Sequence, residues 1–236
     1  MSQAAFHAMH SRCVRLALVI FDCDGVLIDS ESLCDRVVAA ELTALGWTMT
    51  AEESGRNFLG LSFHDMCPLI EARLGRKLPS DWVTALVAKV TATMAKEVEM
   101  VTGARVVLEE TTALGLQWRI ASNSSHQEMA AKFGRTGLDD LVAGRLHSSE
   151  DMIALGRRGK PAPDLFLAAA GNVPPEACVV IEDSLHGVRA AQEAGMQCLG
   201  YSPHGNGAHL VAAGAVPFHD LTLLPALFRA ALEAGQ

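Results

Sequence analysis

The stretch FDCDGVLIDS, at residues 21–30, sets two carboxylates two residues apart directly after an apolar run. The run itself, residues 16–21, is continuous rather than alternating, which is typical of a parallel strand that helices cover on both faces. Asp22 and Asp24 then lie on the same side of the strand's carboxyl end, where open α/β sheets bind ligands. Carboxylates so close raise each other's pKa unless a cation offsets them. The stretch therefore predicts a cation-binding site, since a plain turn does not require Asp22 directly after buried hydrophobic residues.

The composition is that of a globular protein with a net negative charge. The chain has 236 residues, 50% hydrophobic and 19% charged, and a net charge of -8. This charge argues against a nucleic-acid partner, because binding to phosphate backbones depends on clustered lysine and arginine. No apolar run reaches the length of a membrane span, so no membrane association is expected. Residues 1–13 lack the apolar segment of an export signal and are predicted to be a flexible extension, with the protein in the cytoplasm.

The periodicity of the chain changes twice. After the first strand it is helical for about seventy residues, which predicts an inserted helical domain at residues 30–102. From Gly103 helices and strands alternate, as in a parallel sheet built from βαβ units. The predicted fold class is therefore α/β, with a core domain of residues 14–29 and 103–236. The six cysteines are scattered without metal-ligand spacing and are expected to be reduced.

Polar residues follow two further predicted strands at the point where each ends. Ser122-Asn123-Ser124 follows one and Glu182-Asp183-Ser184 follows the other, while the loop GKPAPD at residues 159–164 carries Lys160 between them. The carboxyl ends of parallel strands lie side by side, so these groups should meet Asp22 and Asp24. Carboxylates facing hydroxyl, amide and ammonium groups predict a metal-bridged phosphate site.

This ordered set of motifs resembles the haloacid dehalogenase superfamily of phosphohydrolases, and the resemblance runs from about Leu16 through Gly200. It consists of D-x-D-G-x-x-x-D-S, a strand-end serine, G-K-P-x-P-D and E-D-S. The resemblance implies a Rossmann-like core with the small α-helical cap of subfamily I. It also implies a small phosphorylated metabolite as substrate, as in sugar-phosphate phosphatases and β-phosphoglucomutase.

The resemblance implies a role for each matched residue. Asp22 would be the nucleophile that forms an aspartyl-phosphate, and Asp24 would protonate the leaving group and then activate water. Mg²⁺ would bind the Asp22 carboxylate, the Asp24 carbonyl and the Asp183 carboxylate, an all-oxygen set that suits this ion.

The remaining matched residues would bind the phosphoryl group. Ser122, with Asn123 nearby, would hold phosphoryl oxygens at a helix start, and Lys160 would stabilise the developing charge and pair with Asp22. For Glu182 two interpretations stay open, a metal ligand acting through water or an orienting partner of Lys160.

Three other functions are alternatives to phosphate-ester hydrolysis. A dehalogenase is disfavoured because such relatives do not need the acid at Asp24. A phosphoglucomutase is disfavoured because Cys34, Leu59 and Phe63 stand where that enzyme has polar cap residues. A non-catalytic phosphate binder is disfavoured because the catalytic residues are intact.

Substrate specificity is expected to come from the cap. The candidates are Arg56, Asn57, Ser62 and His64, which are predicted to lie in the short segment between two cap helices. An equally good interpretation is that they are exposed loop residues. The phosphate ester, and whether the chain is a monomer or a homodimer, are not determined by the sequence.

Overall fold

The computed structural model describes residues 15–58, 61, 63–203, 205 and 207–234. The predicted extension at residues 1–13 therefore lies outside the described residues, and so do Leu59 and Ser62.

The strands and helices follow the predicted change of periodicity. The strands are β1 (Leu18–Phe21), β2 (Ile28–Asp29), β3 (Glu99–Met100), β4 (Gln117–Ser122), β5 (Leu146–Ser148), β6 (Cys178–Glu182), β7 (Gln197–Tyr201) and β8 (Val216–Phe218). The helices are α1 (Ser30–Ala44), α2 (Ala51–Phe58), α3 (Phe63–Leu74), α4 (Trp82–Glu97), α5 (Ala104–Ala113), α6 (His126–Thr136), α7 (Asp139–Val142), α8 (Ser149–Ala154), α9 (Asp164–Ala170), α10 (Leu185–Glu193), α11 (Ala208–Ala212) and α12 (Leu224–Ala234).

A parallel sheet of six strands forms the centre of the fold, in the order β5-β4-β1-β6-β7-β8. The first strand, β1, lies between β4 and β6, with Phe21 opposite both Ile120 and Ile181. All four β1 residues are buried, which explains why the strand reads as a continuous apolar run. The predicted α/β class with a parallel sheet is confirmed, and the register aligns the carboxyl ends of β1, β4 and β6.

The chain divides into two compact units. One contains the residues up to Ile28 and from Met100 onward, and the other contains Asp29–Glu99. The second unit holds α1 to α4, where α1 packs against α2 and α4. Its second helix begins with a capping box, because the Thr50 N–H donates to Glu53 Oε2 at 2.7 Å and the Glu53 N–H donates to Thr50 Oγ1 at 3.2 Å.

Sequence patterns missed the shortest elements. Strand β5 has three residues and α7 has four, too few for either period to be recognised. A capping box formed by Ser125 and Glu128 starts α6. The closing helix begins later than its apolar pattern suggests, because Leu221–Leu223 form a 3₁₀ turn before α12.

The cysteines within the described residues are free thiols, at positions 23, 34, 67, 178 and 198. Among the described helices, none has the length and apolar character needed to cross a bilayer.

Replacing Ile20 with alanine should destabilise the fold strongly. Ile20 is fully buried in β1 within the main core, so the cavity should lower the free energy of unfolding by about 2–5 kcal/mol. Ile153→Ala is the matched control, because this side chain is 67% exposed and its loss should change stability by less than about 0.5 kcal/mol. Urea unfolding followed by circular dichroism measures both, and equal midpoints for the two variants would contradict the assignment of β1 to the core.

Candidate functional site

Carboxylates from two neighbouring strands meet at the carboxyl edge of the sheet. Asp22 follows β1 directly, while Glu182 ends β6 and is followed by Asp183. One carboxylate oxygen from each of these three residues lies within 4.8 Å of the others. The parallel register produces this cluster, because it sets Phe21 opposite Ile181.

Lys160 joins two of these carboxylates. Its Nζ donates to Asp22 Oδ1 at 2.5 Å and to Glu182 Oε1 at 2.6 Å. The lysine side chain is only 4% exposed and its ammonium lies 4.7 Å from the centre of the Phe166 ring. A buried ammonium is stable only with such partners, so the three side chains form one interdependent group.

Burial and charge act in opposite directions on this group. Burial raises the pKa of Asp22 to about 7, although the Lys160 ammonium lowers it. Burial disfavours the charge on Lys160, but the carboxylates of Asp22 and Glu182 outweigh this effect and raise the pKa of Lys160 above its ordinary value. Lys160 is therefore charged at neutral pH.

Glu182 is a direct partner of Lys160, which is one of the two roles left open above. Its second oxygen, Oε2, accepts from the backbone N–H of Asp183 and of Ser184, each at 3.0 Å, and from Ser184 Oγ at 2.9 Å. Donors on both oxygens fix the carboxylate rigidly. Helix α10 leaves room for it through Gly187, where a Cβ would lie 1.7 Å from Glu182 Oε1.

Asn123 holds the loop that carries Lys160. Its Nδ2 donates to the Lys160 carbonyl at 3.1 Å, and the Lys160 N–H donates to Asn123 Oδ1 at 3.0 Å. Both polar groups of the amide are thus used by the backbone at Lys160. Ser122 is buried beside them, and its Oγ accepts from the Ser124 N–H at 3.0 Å. The structure thus brings Ser122 and Asn123 to the same sheet edge as Asp22.

Asp24 contacts a lysine that sequence reasoning missed. The Nζ of Lys132 donates to Asp24 Oδ1 at 2.6 Å and to Oδ2 at 2.8 Å. Burial disfavours the charge on Lys132, but the Asp24 carboxylate outweighs it and raises the pKa of Lys132. The signal in the sequence is weak: Lys132 lies on the same face of α6 as the buried Met129, where a lone lysine requires a carboxylate partner.

The carboxylate cluster fits a small divalent cation. Lys160 balances only one of the two carboxylates that it contacts, so a cation near Asp22, Glu182 and Asp183 would offset the remaining negative charge. Gly25 has φ +77°, and a Cβ there would lie 1.8 Å from Asp183 Oδ2. The glycine therefore lets the Asp183 carboxylate approach the chain directly after β1. Oxygen-only donors suit Mg²⁺.

Three of the candidate specificity residues lie in helices, so the expectation of a connecting segment is wrong for Arg56, Asn57 and His64. Arg56 and Asn57 are in α2, and His64 is in α3, because α2 continues to Phe58 and α3 begins at Phe63. The side chains of all three are exposed. Arg56 pairs with Glu52 one turn earlier, at 3.6 Å. Ser62 lies outside the described residues.

Gly187→Ala should damage the site. The added methyl would overlap Glu182 Oε1 and push the carboxylate off Lys160, at a cost of about 1–3 kcal/mol in stability. Gly134→Ala is the matched control: this glycine is also helical, in α6, and apart from its chain neighbours and the backbone of its own helix nothing lies within 4 Å of the new Cβ. The control should gain about 0.5–1 kcal/mol. Thermal unfolding measures both, and a Gly187→Ala protein as stable as the control would refute the close packing of Glu182 on α10.

Comparison with known proteins gives matches over most of the chain. The profile of the haloacid dehalogenase-like hydrolase family matches residues 16–195. The 6-phosphogluconate phosphatase of Escherichia coli is 28% identical, over 92% of this chain and 96% of the relative.

Solved structures agree with this match. A haloacid dehalogenase-like protein from Agrobacterium tumefaciens has a TM-score of 0.82 at 30% identity, covering 91% of this chain and 98% of that protein. A family hydrolase from Deinococcus radiodurans, solved with bound phosphate and sodium, has a TM-score of 0.81 at 30% identity, covering 92% of this chain and 97% of that protein. Together with the motifs at the sheet edge, these matches show that the chain belongs to the haloacid dehalogenase-like hydrolase family.

Proposed function

We propose that this chain is a Mg²⁺-dependent phosphatase that hydrolyses a small sugar or polyol phosphate through an aspartyl-phosphate on Asp22. The observation that carries the proposal is the buried contact of Lys160 with Asp22 and Glu182 beside Asp183. The substrate class is supported by the 6-phosphogluconate phosphatase to which the chain is similar.

In the first step an Asp22 oxygen attacks phosphorus. The new bond joins Asp22 to the phosphoryl group, and the bond from phosphorus to the sugar oxygen breaks. Asp24 gives a proton to the leaving oxygen. Lys160 supports the nucleophile, because its ammonium favours the carboxylate form of Asp22 and can stabilise the charge on the phosphoryl oxygens.

In the second step water attacks the acyl phosphate. Its oxygen bonds to phosphorus, the bond to Asp22 breaks, and Asp24 accepts the proton from the water. The Asp22 carboxylate is restored and inorganic phosphate leaves. An acyl phosphate suits this sequence because it is more readily hydrolysed than the ester it came from.

The phosphoryl group would be held from both sides. Ser122 would donate to one of its oxygens through its hydroxyl, because the first N–H groups of α6 already have acceptors: the Ser125 N–H donates to Glu128 Oε2 at 2.7 Å and the Glu128 N–H donates to Ser125 Oγ at 3.2 Å. Asp22, Asp183 and the Asp24 carbonyl would hold Mg²⁺, with Glu182 fixing Lys160 next to it. The bound ion would neutralise charge between the phosphate and the attacking carboxylate.

Two further expectations accompany the proposal. Arg56, Asn57, Ser62 and His64 would contribute to substrate choice from the helical unit, which would act as the cap. The cytoplasmic location and the monomer or homodimer state stay predictions.

Asp22→Asn should abolish phosphate release while the protein stays folded. The amide is a poor nucleophile, and Lys160 keeps Glu182 as a partner, so we expect kcat to fall by about four orders of magnitude or more. The assay measures inorganic phosphate from a panel of sugar-acid, polyol and aldose phosphates with Mg²⁺. Asp140→Asn, at an exposed position in α7, should retain full activity.

The same panel separates the competing activities. Phosphate release by the wild-type protein and none by Asp22→Asn supports the phosphatase. Isomerised sugar phosphate without net release indicates a mutase, and saturable binding without either product indicates a binding protein. Turnover retained in Asp22→Asn would remove Asp22 as the nucleophile.

Arg56→Ala should change the ranking of substrates in the panel without changing stability. Its ion pair with Glu52 is highly exposed, with the arginine side chain 67% accessible, so its loss should change the free energy of unfolding by less than about 0.5 kcal/mol. Arg105→Ala removes a comparable helical pair with Glu109 from the core unit and should leave the ranking unchanged. Identical kcat/KM ratios in both variants would exclude Arg56 from substrate recognition.

A further inference from the structure

Each carboxylate of the D-x-D motif has its own lysine. Asp22 contacts Lys160, while Asp24 contacts Lys132, which comes from α6. Lys132 donates to both oxygens of Asp24 and also to Ser124 Oγ at 2.9 Å. Ser124 Oγ in turn donates to Asp24 Oδ2 at 2.8 Å. Lys132 and Ser124 therefore hold the Asp24 carboxylate from two directions.

The position of Lys132 is fixed by the fold. Helix α6 starts two residues after Ser124 and is capped by Ser125, and its second turn brings Lys132 to Ser124 and Asp24. Lys132 lies between Met129 and Phe133, both buried, and its side chain is only 8% exposed. A lysine held in this way has lost most of its rotamer freedom, so its ammonium is pre-organised against Asp24.

We propose that Lys132 is a positioning residue for the second chemical step, in which Asp24 acts as the base. This inference rests on the proposed function. The ammonium fixes the plane of the Asp24 carboxylate, so that one of its oxygens faces the attacking water. The water oxygen bonds to phosphorus while the bond from phosphorus to Asp22 breaks. The proton of the water passes to Asp24, and Lys132 itself neither gains nor loses one. Proton transfer depends steeply on such orientation.

The proposal predicts a difference between the two steps. An aryl phosphate with a good leaving group needs little acid assistance in the first step. The release of nitrophenol from p-nitrophenyl phosphate therefore reports the phosphorylation of Asp22 alone. In Lys132→Met the first turnover should keep its rate within about threefold, and the steady-state kcat should then fall by roughly tenfold or more. Stopped flow should show a burst of one nitrophenol per enzyme, with KM not increased.

Three comparison variants make the test specific. Lys132→Arg keeps the charge and should recover part of kcat. Asp24→Asn should give the same burst, and adding Lys132→Met to it should cause no further loss, since Lys132 acts through Asp24. Lys96→Met removes an exposed lysine from α4 and should behave like the wild type.

The variants are expected to fold. The Asp24 side chain is 31% exposed, so water can solvate its carboxylate after Lys132 is replaced. Ser124→Ala removes the second contact with little change in volume and should also lower kcat with a retained burst. It tests the same inference if Lys132→Met fails to fold, as judged by circular dichroism.

The outcomes are distinguishable. A wild-type protein with no turnover of any phosphate ester overturns the proposed function, and this inference with it. Wild-type turnover with an unchanged kcat in Lys132→Met overturns the inference alone. A parallel fall of burst rate and kcat with raised KM also overturns it, because that pattern means that Lys132 binds the phosphate. Further loss in the double variant overturns it as well.

Discussion

The buried contact of Lys160 with Asp22 and Glu182 is the constraint on which the site depends. Two carboxylates cannot both be charged and buried unless a cation lies between them. The ammonium provides that cation from a loop outside the sheet, so the loop must be held in register with β1 and β6. Asn123 provides this restraint through both polar groups of its amide. The chemistry at the strand ends therefore relies on contacts between segments far apart in sequence.

The two aspartates of one short motif have different surroundings. Asp22 is nearly fully buried and shares its lysine with Glu182, whereas the side chain of Asp24 is 31% exposed and contacts Lys132 and Ser124. Carboxylates in different environments can take different roles, one as a nucleophile and the other in proton transfer. Residues two apart, just after the end of β1, thus become chemically distinct because the neighbouring loop and helix differ.

Family membership determines the reaction class more closely than the substrate. The groups that would act on phosphorus lie at the edge of the parallel sheet, where the fold itself brings strand ends together. Substrate choice depends on side chains that the fold does not fix, and members of one fold act on different compounds.

The sequence by itself determined the parallel sheet, the helical insertion and the residues gathered around Asp22, because apolar runs, changes of periodicity and strand-end motifs are local patterns. It did not reveal the three-residue strand β5, nor that Arg56 lies inside a helix. Only the tertiary structure decided the role of Glu182 as a partner of Lys160 and the pairing of Asp24 with Lys132. Those partners are 22 and 108 positions apart, and a contact over such distances leaves no periodic trace in the chain.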